Sequence, residues 1–310
     1  MFNYPPLKCP VCLQDSADKK FILDFESNEG RFSLFECPVC KVQFWYPFKH
    51  FRIEWYNKKY DKNVYNIVKP ASASRNVFKI FLSRHKSSYQ NKMNVLDFGC
   101  GQGVFLRKLI NSKFDACGID INKYALDYAK KTGLENIFLL KEKQSITSIL
   151  QNTTFNFITI FEVFEHLDNH LQLLNQLKLV LKNDGLLVLS VPYRKRILVG
   201  IDLFDYPPNH LTRWDKNAIR NILWLAGFSI KYIRRADDID LTTDSLYRYL
   251  KKYLFLLTES STISADSKVK NYANKKYIKS AYIFFVIMIS KLKNLLRIGN
   301  TLYVEAELKK

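Results

Sequence analysis

Val95-Leu96-Asp97-Phe98-Gly99-Cys100-Gly101-Gln102-Gly103 runs an apolar strand straight into a glycine-dense turn, and Val104 to Ile110 continues as a helix. Glycines at alternate positions let the backbone turn sharply and approach a ligand, because a Cβ would fill that space. The helix that follows directs its N-terminal N–H groups at the same spot. A second short strand ends on Asp120, and a carboxylate at that tip suits the two hydroxyls of a ribose. The stretch reads as a nucleoside-binding crevice, with Gly99, Gly101 and Gly103 as its cradle and Asp120 as its ribose contact.

The spacing narrows the ligand. A dinucleotide fingerprint wants a third glycine where this chain has Val104. Asp97, two residues before the first glycine, would repel a pyrophosphate but suits a ligand carrying an ammonium and a sulfonium. The pattern D-x-G-C-G-x-G resembles motif I of class I S-adenosylmethionine-dependent methyltransferases. The resemblance implies S-adenosyl-L-methionine as cofactor, held by Asp97, Gly99, Gly101, Gly103 and Asp120.

From residue 94 onward, strand and helix alternate as a doubly wound parallel sheet requires. Strands are expected at 94–98, 114–120, 136–140, 155–161, 185–191, 228–235 and 302–308, with helices at 103–111, 122–132, 168–182 and 215–226. Ligands of such sheets bind beyond the carboxyl ends of the strands, where the strand order reverses. The expected fold class is α/β: a Rossmann-like methyltransferase sheet with an N-terminal four-cysteine zinc ribbon and a helical insertion before the last strand. The expected divisions are a ribbon at 1–50, a helical lid or linker at 51–92, the cofactor domain at 93–237 plus 301–310, and the insertion at 238–300.

The strand 155–161 runs into Glu162-Val163-Phe164-Glu165-His166. This is similar to the E-V-x-E-H signature of many small-molecule methyltransferases, which implies that Glu162 lines the methionine end of the cofactor. His166 reads either as a base or as a buttress of the strand end, and Glu165 either as a site residue or as a helix start. Relatives place an Asp after the third strand to bind adenine; here the chain reads Leu140-Lys141-Glu142, and Glu142 is the available substitute. Farther on, Pro207-Pro208-Asn209-His210-Leu211-Thr212-Arg213-Trp214 resembles the P-P-x-H-L loop of a group that includes ubiquinone O-methyltransferases and enzymes of surface-glycan gene clusters. Adjacent prolines stiffen that loop, and Asp215 is a good N-cap for the next helix. His210 reads as a base facing the methyl donor from the acceptor side, or as a loop histidine bonded to backbone.

Cys9-Pro10-Val11-Cys12 and Cys37-Pro38-Val39-Cys40 repeat one tetrapeptide. Two C-x-x-C knuckles present four thiolates to one tetrahedral Zn²⁺, with a hairpin of strands at 21–25 and 31–36 between them. Disulfides or a redox pair are the competing readings, and two identical knuckles favour a closed structural site. With Cys9, Cys12, Cys37 and Cys40 all bound, the metal has no open position and builds the fold. Such a cysteine-rich N-terminal domain is similar to that of sugar C-methyltransferases of deoxysugar pathways.

The net charge of +19 suggests nucleic acid at first. Its distribution argues otherwise: residues 1–50 and 96–190 are each balanced, and the basic surplus lies in 51–95 and 241–300. A ribbon that gripped RNA should itself be basic. The apolar run 281–289 has lysines before it and Lys291, Lys293 and Arg297 after it, so 281–297 reads as a membrane-interfacial helix reaching a lipid-linked substrate, a lid, a dimer contact or ordinary core. The absence of a signal sequence and of a long apolar run points to a cytoplasmic protein, peripheral to a membrane at most. The sequence thus predicts methyl transfer to a small-molecule acceptor, a sugar or lipid-linked glycan intermediate. An RNA methyltransferase is the competing enzyme, and a zinc-ribbon binding protein with an inactive cofactor fold is the competing non-enzyme.

Overall fold

The computed structural model describes residues 8–27, 29–48, 76–86, 92–142, 144–196, 205–236 and 299–310. Most of the expected lid and nearly all of the expected insertion, including 281–297, lie outside these residues.

Near-continuous apolar runs form the centre of the main sheet, as burial on both faces demands. β4 (Asn94–Phe98) and β7 (Phe155–Phe161) are buried along almost their whole length. β4 pairs in parallel with β5 (Asp115–Asp120), and β5 with β6 (Ile137–Leu139). On the other side β4 pairs in parallel with β7, and β7 with β8 (Leu181–Pro192). β11 (Thr301–Leu308) lies antiparallel to β8 and to β10 (Phe228–Ala236), which gives the seven-strand order β10-β11-β8-β7-β4-β5-β6. The chain winds outward from β4 to β6 and then crosses back to β7. The order therefore reverses between β4 and β7, and such sheets bind their ligands beyond the carboxyl ends of the strands at that point.

Period-two alternation sends neighbouring side chains to opposite faces. Leu96, Ile158 and Leu187 face α5 (His170–Val180) and α6 (Lys216–Leu225), whose Leu174, Leu177, Ile219 and Ile222 share their cluster. Val95, Phe157 and Val188 face α1 (Asn76–Arg84) and α2 (Val104–Asn111) through Phe78, Phe81, Phe105 and Leu109. α3 (Lys123–Lys131) starts at Asn122, whose side chain accepts the Ala125 N–H, and α4 (Ile146–Ile149) is a single turn. Asp215 caps α6 as expected, its Oδ1 accepting from the N–H groups of Asn217 and Ala218. The buried carboxylate of Glu305 ties α1 to β11: Nε and Nη2 of Arg84, the His85 ring and the Tyr303 hydroxyl reach it at 2.7–3.1 Å.

The N-terminal residues form a separate antiparallel sheet. β1 (Lys20–Ser27) pairs with β2 (Gly30–Glu36), the expected hairpin, and β2 pairs with β3 (Gln43–Tyr46). β3 then pairs with β9 (Thr212–Arg213), which belongs to the loop after the two prolines. Neither β3 nor β9 is expected from sequence, because two and four residues are too few to display a period. α5 also stops sooner than expected and β8 starts earlier, at Leu181, where the helical pattern gives way directly to the strand.

Candidate active site

All three cradle glycines adopt left-handed backbone: φ is +82° at Gly99, +53° at Gly101 and +73° at Gly103. Their surroundings divide the work. A Cβ on Gly99 would meet Val163 Cγ2 at 2.3 Å, and one on Gly103 would meet Leu134 Cδ1 at 2.0 Å. Around Gly101 a Cβ would meet nothing within 4 Å. Protein packing therefore excludes a Cβ at two of the glycines, and the middle one borders open space. Asp120 binds that turn, accepting the Gly101 N–H on Oδ2 at 2.7 Å and the Asn122 N–H on Oδ1 at 2.8 Å. Burial raises the pKa of Asp120 above the usual carboxylate value.

Asp97 closes β4 opposite Thr159 of β7, whose hydroxyl donates to Asp97 Oδ1 at 2.8 Å. Burial pushes the Asp97 carboxyl up to about 7, against the hydrogen bond from Thr159. A buried acid in this state favours a cationic ligand nearby. Glu162 follows β7 in left-handed backbone, φ +56°, a conformation that costs a non-glycine residue free energy and clusters at functional sites. Its Oε1 accepts the Ser190 hydroxyl at 2.9 Å. Asp97, Glu162 and the three glycines thus sit at the carboxyl ends of β4 and β7, at the reversal. Glu142 is exposed beyond β6, and no described contact ties it to this group.

The E-V-F-E-H turn and the P-P-N-H-L loop come together through Glu165. Phe164–His166 is a single 3₁₀ turn. The backbone carbonyl of Glu165 accepts both the Leu211 N–H at 3.0 Å and the Thr212 hydroxyl at 3.2 Å. Its side chain is buried, and Oε1 stands 3.9 Å from Nε2 of His166 and 3.9 Å from Nε2 of His210. The two imidazoles lie edge to face with centroids 4.7 Å apart. His166 Nδ1 donates to the Asn209 carbonyl, so this histidine is the one bonded to backbone. His210 Nδ1 instead faces Asp205 Oδ1 at 3.3 Å. Burial would raise the Asp205 carboxyl, but His210 and Arg196 hold it below the usual carboxylate range.

A carboxylate on Nδ1 fixes the tautomer that leaves a lone pair on His210 Nε2, the arrangement of an oriented base. The sequence offers no signal for Asp205: it stands in the same loop, and only the folded loop brings its carboxylate to His210. Ser190 and Thr159, the partners of Glu162 and Asp97, were likewise invisible, since each lies on a different strand from the acid it serves. The donor atoms of Glu165, His166 and His210 lie within 4.8 Å of one another, a spacing a cation could also span.

The cysteines form a second, closed site. All four are fully buried and their sulfurs lie within 4.8 Å of one another. Sγ of Cys9 is 3.9 Å from that of Cys40, and Cys12 is 3.8 Å from Cys37. A tetrahedral ion with bonds of about 2.3 Å to sulfur separates its ligands by about 3.8 Å, so the thiols fit zinc. The two knuckles are copies: Leu13 donates its N–H to Cys9 O and Lys41 to Cys37 O, and both residues are left-handed, at φ +61° and +63°.

The sequence model of the family described as "Methyltransferase domain" matches residues 71–233. A ubiquinone biosynthesis O-methyltransferase of Rickettsia canadensis is 26% identical over 158 residues, 49% of this chain and 64% of that protein. One from Actinobacillus pleuropneumoniae is 33% identical over 103 residues, 31% of this chain and 44% of that protein. The chain thus spans less than two thirds of the length of these relatives. Among solved structures, a SAM-dependent methyltransferase from Archaeoglobus fulgidus superposes with a TM-score of 0.48 at 20% identity, covering 75% of this chain and 94% of its own.

Proposed function

This chain belongs to the methyltransferase domain family, and on that premise we propose that it is an S-adenosylmethionine-dependent methyltransferase acting on a hydroxyl of a small-molecule acceptor. The observation that carries the reading is the open space at Gly101 beside the Asp120 carboxylate, flanked by two glycines whose neighbours leave no room for a Cβ. Gly101 and Asp120 would hold the ribose end of the cofactor, and Asp97 and Glu162 the methionine end. When bound, S-adenosylmethionine supplies a methyl already activated by its sulfonium, so alignment of the nucleophile is the enzyme's main task.

His210 Nε2 would take the proton of the acceptor hydroxyl as the methyl passes from sulfur to oxygen, and Asp205 on Nδ1 would stabilise the imidazolium that results. Arg196 in turn fixes the second oxygen of Asp205. The relatives' names favour oxygen as the nucleophile. A sugar or lipid-linked glycan intermediate is the finer reading of the acceptor, and it rests on the sequence resemblance of the P-P-x-H-L loop and of the cysteine-rich N-terminal domain. The cysteine ribbon binds one structural zinc and takes no chemical part, since four thiolates close the coordination.

The test is calorimetric titration of the zinc-loaded chain with S-adenosylmethionine and with S-adenosylhomocysteine, followed by a mass-spectrometric screen of nucleotide sugars and glycan intermediates for gain of one methyl. Binding of both ligands is expected. Binding of neither would defeat the reading and leave a zinc-ribbon binding protein on an inactive cofactor fold.

A further inference from the structure

The loop that carries Asp205 and His210 is held from outside by the cysteine ribbon. Its front end is Tyr206, next to Asp205, whose ring packs 4.6 Å from Phe25 and 5.3 Å from Trp45, centroid to centroid. Tyr206 is thereby a member of the ribbon's own small core, with Phe32, Leu34 and Trp45. Its back end is β9, where the Trp45 N–H donates to Leu211 O at 3.0 Å and Thr212 registers with Phe44. Beyond β9, Arg194 joins three parts: Asp215 at 2.7 Å, Glu36 at 3.1 Å, and the Lys41 carbonyl at 2.9 Å. Lys41 is the left-handed residue that closes the second cysteine knuckle. His210 lies between these anchors.

We infer that the metal-bound ribbon is a positioning device for the Asp205–His210 pair, coupling zinc occupancy to the geometry of the acceptor-side base. The physical ground is size. Four of the ribbon's fully buried side chains are the cysteines themselves, and thiols gathered so closely are held together by a shared ion, so the ribbon depends on its metal. A two-residue strand such as β9 has no stability without β3. When the metal leaves, Tyr206 loses its clasp and Leu211 its donor, and His210 is no longer held against Asp205. None of the contacts just named falls on the cradle glycines or on Asp120; the nearest link is Val163, two residues before the Glu165 carbonyl that holds Leu211 and Thr212. Gly99 to Gly103 and Asp120 are fixed by β4, β5, Val163 and Leu134, so the ribbon acts on one half of the site.

This inference rests on the reading of His210 as the acceptor-side base, and its test needs no acceptor. In the full chain loaded with zinc and labelled with ¹⁵N-histidine, the His210 signal is assigned by comparison with His210→Gln. The expected spectrum shows His210 as a single tautomer protonated on Nδ1. Removing zinc with a chelator should convert it to an averaged signal, while the dissociation constant for S-adenosylhomocysteine stays within about twofold, as for independent sites. Phe25→Leu, which keeps all four cysteines, should produce the same averaging in part with zinc still bound. An unchanged His210 signal after verified metal loss overturns the inference. So does joint loss of the signal and of S-adenosylhomocysteine binding, because the ribbon would then hold up the whole fold. Failure of the loaded chain to bind S-adenosylhomocysteine defeats the methyl-transfer reading instead, and the tautomer comparison still decides the coupling.

Discussion

Gly99 and Val163 meet so closely that a single methyl between them has no room: a Cβ on Gly99 would stand 2.3 Å from Val163 Cγ2. The glycine turn after β4 and the valine of the E-V-F-E-H turn after β7 are thus one packing unit at the point where the strand order reverses. Gly99→Ala should destabilise the chain by about 1–3 kcal/mol through overpacking, read from urea unfolding. Adding Val163→Ala should recover most of that loss, leaving the smaller cost of left-handed backbone at an alanine. Equal stability of the single and double variants would show that backbone strain alone governs this position.

Asp120 does two jobs that a substitution separates. Asp120→Asn keeps a side-chain oxygen for one of the two backbone N–H groups, whereas Asp120→Ala keeps none. Both should weaken S-adenosylhomocysteine binding by about 1–3 kcal/mol, the loss of hydrogen bonds to a hydroxyl pair. Only the alanine variant should also lower the unfolding midpoint markedly. A calorimetric dissociation constant unaffected in both would remove Asp120 from the binding site.

Asp97 predicts a pH dependence of cofactor binding. Its folded carboxyl is raised by burial to about 7, above its unfolded value. The group therefore stabilises the ligand-free fold relative to its ionised form at low pH, and that contribution is lost as pH rises through about 7. A cationic ligand favours the ionised form, so affinity should climb between pH 5 and about 7 and level off above it, with a proton released below about 7. Calorimetry in buffers of different ionisation enthalpy reads that proton directly. Asp97→Asn should flatten the profile, and a profile that survives the substitution points to another group.

Cys37→Ser removes one of four sulfurs arranged at the spacing of a tetrahedral ion. The expected result is loss of the single bound zinc, measured by elemental analysis, and early unfolding of β1 to β3 in hydrogen exchange. Full metal occupancy in this variant would contradict the four-thiolate site.

Among the described residues, no helix is long and apolar enough to cross a membrane. The basic surplus of the chain falls mostly on segments outside those residues, so the interfacial reading of 281–297 stays with the sequence.

Local pattern determined a large part of this protein. Alternation of apolar runs and helical periods located every parallel strand of the main sheet to within a few residues, because all but the three-residue β6 display their own pattern over five residues or more. The doubled C-P-V-C tetrapeptide and the G-C-G-Q-G turn were legible for a related reason: their chemistry is carried by neighbours in sequence. Tertiary structure alone decided the rest. β9 is two residues long and carries no period, so its pairing with β3 follows only from where the ribbon docks. Asp205 becomes the partner of His210, and Glu165 the neighbour of both histidines, through contacts between segments some 40 residues apart or across the turn of one loop. A short-range pattern encodes which face of an element is apolar; it does not encode which distant side chain will stand beside a given imidazole, and that is what makes this site.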